Sequence, residues 1–339
     1  MRRRRFMDLA GASGWRRLAI IAAGWFALAI PSTAGAQPIS RIPRIGYLAA
    51  VPTANTALLD ALRAELGTLD WVEGRNFIVE YRWSHERDEL LPDLAADLVR
   101  LGVNLIVVPA PTYAVAALRF TRTIPIVFCS HGDPVGAGHV ASLARPGGNV
   151  TGVANLLTDL STKQLEILVQ AVPGARRIAV LWSPAESFHA PALPAVEAAA
   201  RALQVEVRFV QVRGIEDFDA AFAQMSAEQV GAFLALVTPA YFIHRARLAE
   251  LALRHRLPSV FGWREYPKVG GLISYGPNLL DMFRRCAAYV DKILKGASPA
   301  ELPVEYTSRY EFVINLNAAR SLGLDIPPFL LARADEVIE

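Results

Sequence analysis

The chain has 339 residues, a length that suits two domains or one large α/β unit rather than a single small core. Hydrophobic residues make up 53% of it and charged residues 20%, which excludes a disordered chain. The formal net charge is +3, but the first 36 residues hold six arginines and one aspartate, so the remainder has 29 basic and 31 acidic side chains. That slightly acidic remainder lacks the basic surface by which proteins bind nucleic acid.

The N-terminal segment has the order of an export signal. Arginines precede Leu18–Ile30, an uncharged run of 13 residues, which is shorter than the about 20 residues of a transmembrane helix. Ala34-Gly35-Ala36 then has the small-x-small form of a signal-peptidase site, with cleavage before Gln37. We predict that residues 1–36 are a signal peptide and that the mature chain is secreted through the cytoplasmic membrane into the periplasm. An uncleaved N-terminal anchor is the alternative.

The sequence lacks the motifs of several enzyme classes. Its six histidines form no His-x-x-x-His pair and no zinc spacing with the two cysteines, and there is no Walker phosphate loop and no Gly-x-Ser-x-Gly motif. We therefore expect no catalytic residue, no metal and no cofactor. Cys129 and Cys286 fall in apolar segments, and we favour two buried free thiols over the alternative of a disulfide.

After Gln37 the chain alternates apolar strands with amphipathic helices. The first series predicts strands at 44–51, 77–83, 105–109, 124–130 and 150–154. Its helices are predicted at 55–69, 90–101, 112–119 and 136–144.

A second series follows a predicted helix over 162–171. Its strands are predicted at 178–182, 205–212, 233–237, 259–263 and 272–275, with helices at 194–203, 217–225 and 241–254. The last part predicts a long helix over 282–294, extended segments at 302–307 and 312–315, a short helix over 317–322 and a final helical turn.

Short apolar strands separated by helices predict parallel sheets that are covered on both faces. Two such series indicate two α/β lobes rather than one wide sheet, and the late extended segments fit crossovers between the lobes. The predicted N-terminal lobe comprises residues 41–155 and about 277–305. The predicted C-terminal lobe comprises residues 156–276 and about 306–339.

A set of ordered motifs carries a family resemblance over the whole mature chain. The motifs are Ile45-Gly46-Tyr47-Leu48, Glu73-Gly74-Arg75-Asn76, Glu80-Tyr81-Arg82-Trp83, Pro125-Ile126-Val127-Phe128, GDPVGAG at 132–138, ARPGGNVTG at 144–152, GLISYG at 271–276 and LARADEVI at 331–338. With these motifs the chain resembles the ABC transporter substrate-binding proteins of the tryptophan/tyrosine-binding-like group. The resemblance implies a type I periplasmic-binding fold, in which two Rossmann-like lobes with parallel sheets are joined by a hinge. It also implies a monomeric receptor that delivers a small organic ligand, of which an amino acid is one candidate, to an ABC permease in the inner membrane.

Ligands of open α/β sheets bind beyond the carboxyl ends of the strands, so the residues just after each strand are the candidates. In the first series these are Thr53, Asn55, Thr112, Tyr113, Ser130 and Asp133. Thr53, Asn55 and Thr112 are equally suited to capping the helices that they open, and Tyr113 to packing within its lobe. Asp133 has two interpretations, as the partner of a ligand ammonium or as a cap before Pro134.

In the second series the candidates are Ser183, Thr238, Tyr241, Trp263 and Glu265. Tyr241 and Trp263, together with Phe188, are candidates for an aromatic wall, and Arg264 or Glu265 for a source of charge. Two rival functions stay open: an enzyme on a similar two-lobe scaffold, and a ligand-sensing domain for a membrane signalling partner. A repressor is disfavoured because the export signal occupies the place of its helix-turn-helix.

Overall fold

The structure is a computed structural model that describes residues 42–155, 157–307 and 309–339. The predicted signal peptide, residues 1–36, lies outside the described residues. The strands run in chain order as β1 (Arg44–Ala49), β2 (Ile78–Trp83), β3 (Leu105–Val108), β4 (Ile126–Phe128), β5 (Val150–Ala154), β6 (Arg177–Trp182), β7 (Glu206–Gln211), β8 (Ala232–Ala235), β9 (Ser259–Phe261), β10 (Ile273–Pro277), β11 (Glu305–Tyr306), β12 (Tyr310–Asn315) and β13 (Glu336–Ile338).

The helices lie between these strands. They are α1 (Pro52–Thr68), α2 (Leu91–Arg100), α3 (Pro111–Leu118), α4 (Leu157–Ala171), α5 (His189–Ala202), α6 (Phe218–Ala227), α7 (Pro239–Ile243), α8 (Arg245–Arg254), α9 (Leu279–Leu294), α10 (Leu316–Leu322) and α11 (Pro328–Leu331). No helix among the described residues has both the length and the apolar character that crossing a membrane requires.

The first sheet has the order β11-β5-β4-β3-β1-β2, and its neighbouring strands are parallel. Every residue of β3, β4 and β5 is buried, as expected for strands that are covered by helices on both faces. The amphipathic helix α2 supplies part of this cover through Leu91, Ala95 and Leu98. We call this sheet and its helices the first lobe.

The second sheet has the order β13-β12-β10-β9-β8-β6-β7 and forms, with its helices, what we call the second lobe. It departs from the predicted parallel arrangement at one pair, because β10 and β12 are antiparallel, with Tyr275 opposite Phe312. A predominantly parallel α/β architecture with two sheets confirms the predicted fold class.

The chain passes between the sheets more than once. It leaves the first sheet after β5, returns to it at β11 and goes back to the second sheet at β12. Between β10 and β11, the helix α9 packs against α1 more extensively than any other pair of elements. The indole Nε1 of Trp71 donates a hydrogen bond to Asp291 of α9 at 2.8 Å, which fixes the end of this packing.

Two predicted elements differ from the structure, and the structure adds a strand after a third. The segment 136–144 forms turns rather than a helix, and Gly138 has a φ of +69°, a left-handed conformation that interrupts a helix. The predicted helix over 241–254 is two helices, α7 and α8, that meet at His244. The final helical turn, α11, is followed by β13, which pairs with β12.

Both cysteines are free and buried, as predicted. Cys129 follows β4, and Cys286 lies on the face of α9 that is turned to the first sheet. Burial, followed by the proximity of Cys286, holds the pKa of the Cys129 thiol well above its ordinary value. Both thiols pack as small apolar side chains in the core.

Candidate ligand-binding cleft

The carboxyl ends of the two sheets face each other across a mostly apolar cavity. The first lobe contributes Ala50, Pro109, Tyr113, Ser130, Gly132 and Asn155, which all lie within five residues after the end of a strand. The second lobe contributes Phe188, Val237, Thr238, Phe242 and Trp263. The cavity volume is about 70 Å³, several times the about 10–15 Å³ that one water needs in the same measure. This cavity lies where α/β sheets bind their ligands.

Aromatic side chains of the second lobe form one wall of this cavity. Trp263 follows β9 and packs edge-on against Phe242 of α7, with ring centroids 5.3 Å apart. Phe188 lies just before α5 and reaches across to the first lobe, where its ring centroid lies 6.3 Å from that of His131. The predicted aromatic wall therefore forms, with Phe242 in the place that the sequence analysis gave to Tyr241.

Two residues of the cavity lining each carry a buried polar atom that lacks a hydrogen-bond partner in the described part of the chain. One is the indole Nε1 of Trp263, a donor on a side chain that is 7% exposed. The other is Oδ1 of Asn155, an acceptor on a residue that is 1% exposed, whose Nδ2 donates to Ser130 Oγ at 3.2 Å. An unpaired buried polar group costs about 1–3 kcal/mol, so a ligand that pairs with both atoms regains that free energy.

A second chamber of about 400 Å³ adjoins the apolar cavity and has a more polar lining, and we call it the polar chamber. The two spaces share the walls formed by Ala50, Tyr113, Thr238, Pro239 and Ile243. The polar chamber adds Thr112, Ser183 and Glu186 together with more exposed charged residues. The apolar cavity and the polar chamber therefore lie side by side at the cleft.

Glu186 is the most buried carboxyl group of the polar chamber. Its side chain accepts a hydrogen bond from Thr112 Oγ1 across the cleft at 3.4 Å. Burial is the main cause that raises the pKa of Glu186, to about 8, and the negative charge of Asp88 acts in the same direction. Glu186 lies three residues after the candidate Ser183, in the same loop, and the sequence gave no reason to prefer it over its neighbours.

Contacts between the two lobes in the described residues include three around the cleft. Thr112 meets Glu186, the carboxylate of Glu86 hydrogen-bonds to His244 Nε2, and Phe188 packs on Gly132. A Cβ atom at Gly132 would lie 2.8 Å from Phe188 Cδ2, closer than real contacts allow. The absence of a side chain at Gly132 therefore permits the lobes to approach this closely.

The structure does not bring Asp133 into the cavity. Its Oδ1 accepts the backbone N–H of Gly136 at 2.8 Å, so the carboxylate caps the turn after β4. Its own N–H donates to Nδ1 of the buried His131 at 3.1 Å, and His131 Nε2 lies 2.8 Å from His139 Nδ1. The geometry thus corresponds to the capping interpretation and corrects the placement of Asp133 as a charge of the cleft.

Tyr241 and Glu265 also lie outside both spaces. Tyr241 is fully buried and donates its hydroxyl to Val212 O at 2.7 Å, so it belongs to the core under the cleft. Glu265 follows Arg264, whose guanidinium pairs with Glu311 at 2.9 Å and with Glu336. Burial raises the pKa of Glu265, but its carboxyl lines neither the cavity nor the polar chamber.

Three more of the predicted residues, Tyr113, Thr238 and Ser183, line the cleft. Tyr113 and Thr238 line both spaces, and Thr238 also caps α7 by accepting the N–H of Tyr241 at 3.1 Å. Ser183 donates its backbone N–H to His189 Nδ1 at 3.0 Å and lines the polar chamber. The side chains of Thr53 and Asn55 lie outside the described part of the chain.

Sequence reasoning missed Asn155, Phe242 and the special place of Glu186. Asn155 directly follows β5, so the strand-end rule that selected the other candidates applies to it as well. No group of three or more His, Cys, Asp or Glu residues within the described ranges is arranged to hold a metal ion.

Comparison with known families gives the context of this cleft. The family model described as "ABC transporter substrate binding protein" matches residues 53–338. The chain belongs to this family. Proteins of this family are substrate-binding proteins rather than enzymes, which confirms the prediction of no enzymatic activity. This ABC substrate-binding protein therefore binds a small-molecule ligand.

Three proteins are similar to this substrate-binding protein over most of its length. A tyrosine-binding protein of Clostridioides difficile is 23% identical over 255 residues, which are 74% of this chain and 72% of the relative. A conserved domain protein of Vibrio cholerae is 26% identical, with a TM-score of 0.82 over 88% of this chain and 100% of the other. A protein of Streptococcus pneumoniae in complex with L-Trp is 24% identical, with a TM-score of 0.81 over 87% and 99% of the two chains. The fold is that of the type I periplasmic-binding proteins.

Proposed function

We propose that this protein is an exported solute receptor that binds a small organic ligand between its lobes and delivers it to an ABC permease of the inner membrane. The first candidate ligand is an amino acid with an aromatic or large apolar side chain. The observation that carries this proposal is the apolar cavity at the facing carboxyl ends of the two sheets, with unpaired polar atoms on Trp263 and Asn155. The similar proteins from C. difficile and S. pneumoniae, which bind tyrosine and L-Trp, support an aromatic amino acid.

The cavity supplies affinity and orientation by different means. Burial of an apolar ring stabilises the complex by about 25 cal/mol for each Å² removed from water. The donor on Trp263 and the acceptor on Asn155 fix the orientation of the ligand, because either atom left unpaired weakens binding. The contacts between the lobes around the cleft fit a closed conformation, and closure by hinge motion would trap the ligand for the permease.

The proposal also covers where the protein works and which membrane protein it delivers its ligand to. The predicted signal peptide supports a mature chain that begins at Gln37, and the family membership supports a location outside the cytoplasm, which we propose is the periplasm. We further propose that the mature chain works as a monomer. The permease is the membrane partner that would recognise the closed receptor.

Mass spectrometry of ligand released from the purified mature chain tests the proposal, followed by calorimetric titration of the stripped protein with the twenty amino acids. We expect one aromatic or large apolar amino acid to bind, and Trp263→Phe, which keeps a ring but lacks the N–H, to bind it about tenfold more weakly. Trp182→Phe, outside the cavity, is the matched control. Recovery of a chemically converted ligand, or no binding of any small organic molecule, would contradict a receptor.

A further inference from the structure

Glu186 is a buried carboxyl group without a cationic partner among the described residues. Glu186 is 6% exposed and lies in the loop between β6 and α5. The side-chain contact that the structure gives it is the hydroxyl of Thr112 at 3.4 Å, from the opposite lobe. Buried carboxylates are ordinarily paired with a cation, so the carboxyl group of Glu186 can bind a cationic group that the described part of the protein does not supply.

The other charged groups around Glu186 make its surroundings acidic. The polar chamber is lined by the carboxyl groups of Glu86, Asp88 and Glu216 and by two basic groups, Arg213 and His244. His244 is already bonded to Glu86, and Arg213 is exposed at the outer part of the chamber. A ligand group that enters the chamber beside Glu186 therefore meets a negative environment, which favours a cation.

The neighbouring cavity independently indicates a ligand with polar groups. Its unpaired Trp263 Nε1 and Asn155 Oδ1 are both more than nine-tenths buried. Tyr113 and Thr238 line both this cavity and the polar chamber, so the two spaces are neighbours. An amino acid suits two neighbouring subsites, because its α-carbon carries both the ammonium group and the apolar side chain.

We propose, on the basis of the function proposed above, that Glu186 and Thr112 form the subsite for the ammonium group of an amino-acid ligand whose side chain occupies the apolar cavity. The carboxylate of Glu186 accepts the hydrogen bond of the ammonium, and Thr112 Oγ1 holds the carboxylate in place from the other lobe. Because the two residues belong to opposite lobes, ammonium binding also strengthens a contact that exists in the closed form.

This subsite couples ligand binding to the release of a proton. Burial raises the pKa of Glu186 to about 8, so the carboxyl group is mostly neutral at pH 7 without ligand. An ammonium group favours the ionised carboxylate, so binding at pH 7 expels the proton of Glu186 to solvent. The affinity then increases from pH 6 to pH 8 and levels off above that.

Titration calorimetry of the mature chain in buffers of different ionisation enthalpy measures this proton directly. The probes are L-tryptophan, L-tyrosine and L-leucine, each beside its analogue without the amino group: indole-3-propionate, 3-(4-hydroxyphenyl)propionate and 4-methylpentanoate. We expect the best amino acid to release nearly one proton at pH 7 and its des-amino analogue to bind about ten- to a hundredfold more weakly without proton release.

Glu186→Gln is the decisive variant, since the amide keeps the shape and the bond to Thr112 but cannot ionise. We expect it to lose about ten- to a hundredfold in affinity for the amino acid, to lose the proton release and to bind the des-amino analogue as the wild type does. Glu216→Gln, an exposed carboxyl of the same chamber, is the matched control and should change affinity by less than about threefold.

The outcomes separate this inference from the proposed function. Binding of an amino acid with no proton release, or with unchanged affinity in Glu186→Gln, overturns the ammonium subsite and leaves the receptor function intact. Binding of des-amino analogues as tightly as the amino acids has the same meaning. Failure of the wild type to bind any small organic molecule overturns the receptor function itself. If Glu186→Gln does not fold, the wild-type proton release and the analogue series still decide.

Discussion

The contact between Gly132 and Phe188 makes closure of the cleft sensitive to a single methyl group. In Gly132→Ala the new Cβ would lie 2.8 Å from Phe188 Cδ2 and 3.1 Å from two further ring carbons. Carbon atoms that are not bonded pack at about 3.5–4.0 Å, so the ring would have to withdraw by about 0.7–1.2 Å. Phe188 is 6% exposed and is packed against His131 and His189, so it has little room to withdraw while the lobes stay together.

The cost of this clash follows from measurements on overpacked sites. Inserting a methyl group into a packed site costs about 1–3 kcal/mol. Because Gly132 and Phe188 belong to opposite lobes, that cost is paid by the closed form and not by folding of either lobe. We therefore expect Gly132→Ala to bind the ligand about 5- to 150-fold more weakly, while thermal unfolding without ligand stays near that of the wild type.

Titration calorimetry and a thermal melt of the same preparation test this reasoning. Gly148→Ala is the matched control, because a Cβ there would have no neighbour within 4 Å. Unchanged affinity in Gly132→Ala would refute the argument that the contact limits closure. A large drop in melting temperature with unchanged affinity would show that the contact serves folding instead.

Two further changes have clear expected outcomes. Asp133→Asn should keep ligand affinity within about twofold and the free energy of unfolding within about a few tenths of a kcal/mol, because Asn caps a turn about as well as Asp. A tenfold loss of affinity, measured by calorimetry, would show that Asp133 contributes to ligand binding after all. Burial, followed by His139, holds the pKa of His131 well below its ordinary value of 6.5, so below about pH 6.5 the unfolded chain takes up a proton that the folded chain does not. Urea unfolding measures the free energy of unfolding of the wild type and of His131→Asn. We expect the difference between them, in favour of the wild type, to shrink by up to about 1.4 kcal/mol for each pH unit as the pH falls from 6.5 to 5. A difference that is constant over this range would count against a buried neutral His131.

The fold could be predicted from the sequence where a local pattern decides the structure. The buried runs of β3 and β4 are uninterrupted apolar segments between helices, a pattern typical of parallel sheets with both faces covered. The segment 136–144 misled the prediction because its apolar spacing fits a helix. Its glycines and the bond between His131 and His139 favour turns instead.

The candidate site was predictable to the level of strand ends and no further. The strand-end rule selected Ser130, Thr238 and Trp263, and all three line the apolar cavity. It cannot tell which side chain after a strand turns toward the other lobe, so Tyr241 was selected although its ring is core and Phe242 lines the cavity. Likewise, the importance of Glu186 depends on Thr112, which is 74 residues away, and no local pattern encodes that contact.

The return of α9 and β11 to the first lobe has a consequence for the order in which the chain can fold. The face of α1 with Leu58, Leu62 and Leu66 is covered by a helix that begins more than 200 residues later, at Leu279. A chain that emerges from its N-terminus therefore holds an incomplete first lobe until α9 and β11 are available. Such long-range pairing slows folding, because the loop entropy is lost before the contact forms. A fragment that ends before α9 would expose that leucine face, and we would expect it to aggregate or to be held by chaperones rather than to fold as an independent half.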